Sequence, residues 1–372
     1  MKANSQMKCA TDLIPNNLSY NTPQVEINTS SRSAKFEIPI VFHIFTLDGE
    51  DPLQTFDIYD QIDALNTYYN RALHASILYS EASPFVENPK ITFCLATIDP
   101  DEKVTTGILY YDTDDSSLGN LNLQGEVGKV KQESLGGANA WNTDRYLNIW
   151  VAPRNDGILG DATFPGTGSK EEDGIVIKTS VLGTKQGLGK TLVHEIGHYL
   201  GLKHPWGSSG ACSDDDGIKD TPFQEGGYFG CPSYPQQSCG SLDFIYNFMD
   251  FHDDDCLLFF TKGQVDVMHE VLKTSRSELT MNGCHTQKEI LSFNDLISFY
   301  NGTHIVIYSR SYASFTMNVK LYDISGKKIY DSRSNKDFVF RINSDALKAG
   351  IYILSLENDS SFETRKIFVS SN

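Results

Sequence analysis

Three histidines and a glutamate stand in the segment HEIGHYLGLKH, from His194 to His204. His194 and His198 are four residues apart, so on a helix they project from one face. Gly201 lets the chain turn out of that helix, because glycine accepts backbone angles that other residues resist. The turn can swing His204 round as a third nitrogen ligand. Three neutral imidazoles suit zinc and leave its fourth tetrahedral position open, which distinguishes a catalytic zinc from a structural one. Glu195 sits beside the first ligand, free to act on a water at the open position. Zinc lowers the pKa of such a water from about 16 to roughly 7 and has no redox change of its own. The chemistry to expect is hydrolysis of a peptide bond. Glu195 would take the proton of the attacking water and deliver it to the departing amine.

Other elements must hold these groups in place. Leu192, Val193, Ile196 and Leu200 supply apolar bulk around the ligands, and Pro205 suits a chain that has left the helix. IPIVFHIF and YLNIWVA are strand-like, rich in β-branched and aromatic residues. Between them, Ile58, Ile62 and Leu65 recur at helical spacing and predict a helix over Asp57 to Leu73. Thr261 is a candidate N-cap for a helix running through Lys273. His43 lies inside the first strand and reads as a satisfied core or edge histidine. Downstream, NFMDFHDDDC offers Met249 in a turn-like acidic stretch; alone it reads as a buried apolar methionine.

The histidine pattern with a later turn methionine resembles the metzincin signature. The local wording is similar to the pappalysin family, in its bacterial ulilysin-like branch. Ile38 to Cys284 carries this resemblance: IPIVFHIF, ITFCLATIDP with TTGI, YLNIWVAP, ILGDATFPG, the zinc segment, DGIKDTP, FGCP, and NFMDFHDDDC with FTKGQ. It implies an α+β, two-lobed catalytic domain with substrate lying across a cleft floored by zinc. It makes Met249 the methionine of the turn beneath the metal. Relatives commonly carry a tyrosine two residues later; Phe251 stands there and has no hydroxyl to donate. His252 follows and is read as a surface histidine. Asp255 matches a family position at the base of the pocket beyond the scissile bond, which implies cleavage before arginine or lysine. Its alternative is a solvated aspartate in the run Asp253, Asp254 and Asp255. Asp216, Asp220 and Thr221 fall where the family binds structural calcium, against the alternative of an acidic surface loop.

The chain has seven cysteines. Cys212, Cys231, Cys239 and Cys256 crowd one loop-rich stretch, and four cysteines allow three pairings. The family pattern implies Cys212 with Cys239 and Cys231 with Cys256, in an oxidising compartment. Cys94, in the apolar run ITFCLA, is expected to be a buried core thiol, and Cys284 is unassigned. Cys9 precedes the first catalytic strand in a stretch rich in Asn, Ser and Thr. Related zymogens place a leader cysteine on the fourth zinc position. Here Lys8 and Ala10 replace the arginine and glycine that usually flank it, and a bystander cysteine is the alternative. Cleavage between Arg32 and Phe36, at Arg32 or Lys35, would remove the leader.

At 372 residues the chain has room for two or three domains, and a net charge of -17 argues against nucleic acid as a partner. No run of about 18 apolar residues is present to span a membrane. The start, MKANSQMK, lacks the apolar core of a signal peptide and is taken as trimmed rather than as a cytosolic address. After Thr286 the pattern becomes short strands divided by turns, such as HIVIYS, NVKLYDI and IYILSLE, which predict an immunoglobulin-like β-sandwich. LYDISGKKIY with ALKAGIYILSL and RKIFV resembles the C-terminal sorting domain of the type IX secretion system. That implies its machinery as a partner and export to the exterior or the bacterial cell surface. The expected domains are therefore a pro-segment over 1–35, a peptidase over 36–285 and a sandwich over 286–372. The expected activity is a secreted zinc-dependent endopeptidase made as a latent zymogen. An adhesin or inhibitor-like protein that binds zinc with little turnover is the reading from another class.

Overall fold

The structure is a computed structural model describing residues 9–14, 20–25, 35–70, 81–122, 127–183, 188–281, 284, 293, 296–300, 303–309, 315–334, 339–358 and 361–370. The chain divides into two compact units: residues 1–103 with 107–284, and residues 104–106 with 285–372. The described leader residues belong to the first unit. The Arg32 cleavage point lies outside the described residues.

The first unit is built on β1 (Phe36–Leu47), α1 (Thr55–Asn70), β2 (Val86–Glu87), β3 (Ile91–Leu95), β4 (Ile108–Thr113), β5 (Leu147–Ala152), β6 (Gly160–Ala162), β7 (Ile175–Lys178) and α2 (Lys190–Tyr199). The sheet order is β3-β1-β5-β7-β6, with β4 also paired to β1. At twelve residues β1 is long enough to serve two neighbours on one side: its first half pairs with β3 and its second with β4, both in parallel. β5 lies parallel on its other side and β7 follows in parallel, while β6 runs antiparallel at the edge. β1 and β5 read as almost unbroken apolar runs because both are buried. His43 takes its place there as a core residue, wholly buried, with Nε2 3.1 Å from Asn148 Oδ1 and its ring stacked on Trp150.

α1 follows the helical spacing of Ile58, Ile62 and Leu65 and packs on β3. The predicted continuation to Leu73 lies outside the described residues. Gln61 Nε2 donates to Gly189 O at 2.9 Å and Tyr69 Oη to Val193 O at 2.9 Å, so α1 anchors the start of α2. The loop-rich remainder holds β8 (Gln237–Ser238), β9 (Ser241–Leu242), β10 (Phe260–Thr261) and α3 (Lys262–Lys273). Thr261 caps α3 reciprocally with Gln264, a capping box at the expected position.

The second unit contains β11 (Leu296–Tyr300), β12 (His304–Ser309), β13 (Asn318–Asp323), β14 (Lys328–Arg333), β15 (Val339–Asn343), β16 (Gly350–Glu357) and β17 (Phe362–Val369). They form two antiparallel sheets, β11-β12-β15 and β14-β13-β16-β17. Ile305, Ile307, Val319, Leu321, Leu354 and Leu356 pack between the sheets as the core of the predicted sandwich.

Candidate active site

Nine of the ten residues of α2 are buried, His194, Glu195 and His198 among them. Gly201, at φ +93°, turns the chain at the helix end, and Leu202 N bonds back to Gly197 O at 2.9 Å. The turn delivers His204. The Nε2 atoms of His194, His198 and His204 stand 3.0, 3.1 and 3.3 Å from one another. Each ring offers Nδ1 to an acceptor: Phe248 O for His194 at 2.7 Å, Leu202 O for His198 at 2.7 Å, and the Asp12 carboxylate for His204. With each Nδ1 donating, a neutral ring turns the lone pair of Nε2 toward the common centre. Three lone pairs this close repel unless a cation sits among them, so the donor set fits zinc. Burial, with the neighbouring imidazoles of His204 and His194, holds the pKa of His198 well below its usual value, which favours the neutral form.

Met249 is wholly buried beneath this cluster. Its sulfur lies against Gly197, where an added Cβ would collide with it. Asn247 Oδ1 accepts from Met249 N at 2.9 Å and Asn247 exchanges amide hydrogen bonds with Gln264 at 2.8 and 3.0 Å, so the start of α3 fixes the methionine turn. Phe251 joins Trp206 in an aromatic wall: Trp206 stacks on His204 at 4.6 Å and Phe251 meets that ring edge-on at 4.7 Å. His252 differs from its expected surface position. It is buried, with Nδ1 3.1 Å from Gly230 O and Nε2 3.7 Å from Asp250.

The leader crosses the site. Cys9 pairs in parallel with Gly160 of β6, and its sulfur gathers with the three ligand nitrogens within 4.8 Å. It also lies 3.6 Å from Glu195 Oε2. Burial and the carboxylate of Glu195 push the thiol pKa well up. A single 3-10 turn, Thr11–Leu13, follows. Thr11 Oγ1 donates to Glu195 Oε2 at 3.0 Å and accepts from Ala162 N at 2.9 Å. Burial, then Asp161, pushes Glu195 up to about 8. Further on, Tyr20 stacks on Phe164 at 4.5 Å and Thr22 Oγ1 donates to Asp216 O at 2.8 Å. Sequence reasoning found Cys9 but missed Thr11 and Asp12, which no spacing marks.

A cavity beside α2 is lined by Lys190, His194, Glu195, Asp250, Phe251 and Asp254, among others. Asp255 does not line it and is exposed. The difference is one turn: Asp254 Oδ2 accepts from Leu188 N at 3.0 Å and Lys190 N at 2.9 Å, which draws that residue inward. Asp216 is buried, and burial holds its pKa well above the carboxylate range although Ile218 N and the nearby Thr221 hydroxyl oppose this. Its Oδ2 and the Thr221 hydroxyl have no hydrogen bond of good geometry among the described residues. Asp220 is already engaged, accepting from Thr261 Oγ1 at 2.8 Å and Gly263 N at 2.9 Å. Cys212 bonds to Cys239 and Cys231 to Cys256. Cys94 corrects the expected core thiol: it is bonded to Cys284, their Cα atoms 5.7 Å apart. The apolar run around Cys94 places it in a buried strand but says nothing of a partner from the end of the unit.

Comparison with known proteins agrees with this geometry. The family model described as pregnancy-associated plasma protein-A, a metallopeptidase family, matches residues 132–273. A secretion system C-terminal sorting domain matches residues 301–370. An extracellular metalloprotease of Arthroderma benhamiae is 38% identical over 152 residues, 38% of this chain and 54% of that protein. One of Verticillium alfalfae is 39% identical over 150 residues, 36% of this chain and 52% of that protein. The chain thus spans about half the length of the curated relatives it matches. Among solved structures, a promirolysin variant of Tannerella forsythia is 34% identical, with a TM-score of 0.61 over 68% of this chain and 87% of that one. Mature mirolysin of the same organism, in complex with a cleaved peptide, is 34% identical, with a TM-score of 0.60 over 67% of this chain and 96% of that one. No helix among the described residues is long and apolar enough to cross a membrane. The chain belongs to the pappalysin, or pregnancy-associated plasma protein-A, family of metallopeptidases, and it carries a C-terminal secretion sorting domain.

Proposed function

We propose that the chain is an exported zinc-dependent endopeptidase, kept latent by its own leader until that leader is cut. The convergence of three Nε2 atoms, each ring held by a bond at its other nitrogen, carries the reading. His194, His198 and His204 would hold the ion. Zinc there supplies a Lewis acid that makes a nucleophile of water near neutral pH and polarises the peptide carbonyl. Glu195, next in the chain to His194, takes the proton of the attacking water and passes it to the leaving amine. β6 is an edge strand; Gly160 O and Ala162 N, now bonded to Ala10 N and Thr11 Oγ1, are the groups an extended substrate would take over. Cys9 closes the site while the leader remains. Phe251 brings no hydroxyl, so charge stabilisation falls to the metal centre.

For specificity, cleavage before arginine or lysine is the reading, with the acidic 250–255 stretch as acceptor. Asp254 in the cavity lining supports it more directly than the exposed Asp255. Calcium at Asp216 and Thr221 is supported by their buried oxygens. The test is a leader-trimmed chain offered an arginine-containing peptide, with products mapped by mass spectrometry. Cleavage is expected, chelation should stop it, and Glu195→Ala should abolish turnover while zinc stays bound. A trimmed chain that retains zinc but cuts nothing would instead support a zinc-binding adhesin or inhibitor.

A further inference from the structure

One of the three outer hydrogen bonds at the histidines differs in origin. His194 and His198 donate Nδ1 to main-chain carbonyls of the peptidase fold itself. His204 donates to the carboxylate of Asp12, 192 residues earlier, in the segment that leader removal discards. Among the described residues Asp12 is the one hydrogen-bond partner of that nitrogen. Trp206, stacked at an interplanar angle of 5°, and Phe251, at 76°, fix the plane of the His204 ring. A stacked ring fixes neither which nitrogen is protonated nor which end faces the centre. A directional acceptor does both, and a carboxylate also makes the distal nitrogen a stronger donor to a metal.

We propose that Asp12 is a positioning residue for His204. The leader thereby completes the zinc site it also closes, and the ion is held more tightly in the untrimmed chain than in the trimmed one. The inference rests on the zinc reading above. The 3-10 turn carries Asp12 two residues beyond Ala10, and its bonds Leu13 N to Ala10 O (2.9 Å) and Ile14 N to Thr11 O (3.3 Å) keep the turn closed. Cys9 and Asp12 are thus presented together, thiol to the ligand nitrogens and carboxylate to the ligand ring. One cut takes both away. The leader then has two opposite effects on the same ion: it blocks the open position, and it strengthens one of the bonds that hold the metal.

The experiment measures zinc affinity rather than activity. Full-length Cys9→Ala serves as parent, so that sulfur contributes to no arm. Zinc is titrated against a chromophoric chelator at fixed pH in the parent, in Asp12→Asn and Asp12→Ala made on it, and in the leader-trimmed chain. Asp12→Ala and the trimmed chain should each bind zinc about 10- to 100-fold more weakly than the parent. Asp12→Asn should lose less, because its carbonyl oxygen still accepts from Nδ1. Thermal unfolding of the metal-free variants should coincide, which separates positioning from folding. Should Asp12→Ala prove unstable, the trimmed chain alone decides. Affinities within twofold across all arms would overturn the role of Asp12 and leave the zinc reading standing. A parent that binds no zinc would overturn the zinc reading itself.

Discussion

Thr11 and Glu195 are joined by a hydrogen bond of 3.0 Å, and the same hydroxyl accepts the amide of Ala162 at 2.9 Å. One side chain ahead of β1 therefore occupies both the proposed general base and the edge strand proposed to take substrate. Burial keeps Glu195 largely neutral here, and two neutral hydrogen bonds together contribute about 1–3 kcal/mol. Thr11→Val keeps the shape and removes both bonds. The untrimmed Thr11→Val chain should show peptidase activity about 10- to 100-fold above the silent parent while staying below the trimmed enzyme. Activity as low as the parent's, followed by normal activation on trimming, would show that the hydroxyl takes no part in latency.

Phe251 packs against His194 and His204 with centroids at 5.9 and 4.7 Å, so a hydroxyl added to its ring would stand in the wall of the same histidine cluster. One well-placed donor of this kind is worth about 10²–10³ in kcat at an oxyanion site. Phe251→Tyr in the trimmed enzyme should raise kcat by about tenfold or more with KM little changed. A lowered kcat would mean that the aromatic wall has no room for the added oxygen.

His43 gives a pH dependence whose sign is fixed by burial. Its environment lowers the pKa from the ordinary 6.5 to about 4, burial being the cause and the Asn148 bond opposing it. Between these values the unfolded chain takes up a proton that the folded chain refuses. Stability present above pH 6.5 is therefore lost as pH falls toward 4, by about 3 kcal/mol for this one group. In His43→Gln, urea unfolding should show a shallower loss over that window. Equal slopes in the two proteins would remove His43 as the source.

The sequence made the metal helix legible because a single helix and a glycine turn hold all three ligands and the base within eleven residues. α3 was legible for the same reason, the two residues of its capping box, Thr261 and Gln264, lying three positions apart. The contributions of Thr11 and Asp12 were not, since they act on residues more than 180 positions away and neither sits in a spacing that names a partner. Asp254 and Asp255 show the limit of pattern within a run of like charges. Which carboxylate faces inward depends on amides at Leu188 and Lys190, far outside the run. Asp220 reads as a calcium ligand through the family resemblance, whereas its contacts with Thr261 Oγ1 and Gly263 N at the first turn of α3 are marked by no spacing. The sandwich announced itself through strand length and turns, but register within it follows from which faces meet, and that is settled only by packing.

The bridge from Cys94 to Cys284 shuts a loop of chain around most of the peptidase unit, joining β3 to the last residue of that unit. A cut just beyond Cys284, ahead of the sorting domain at 301–370, would release that domain and leave a new carboxyl terminus beside a residue bonded to β3. Such an end resists fraying, and so offers little purchase to the exopeptidases of a crowded extracellular fluid.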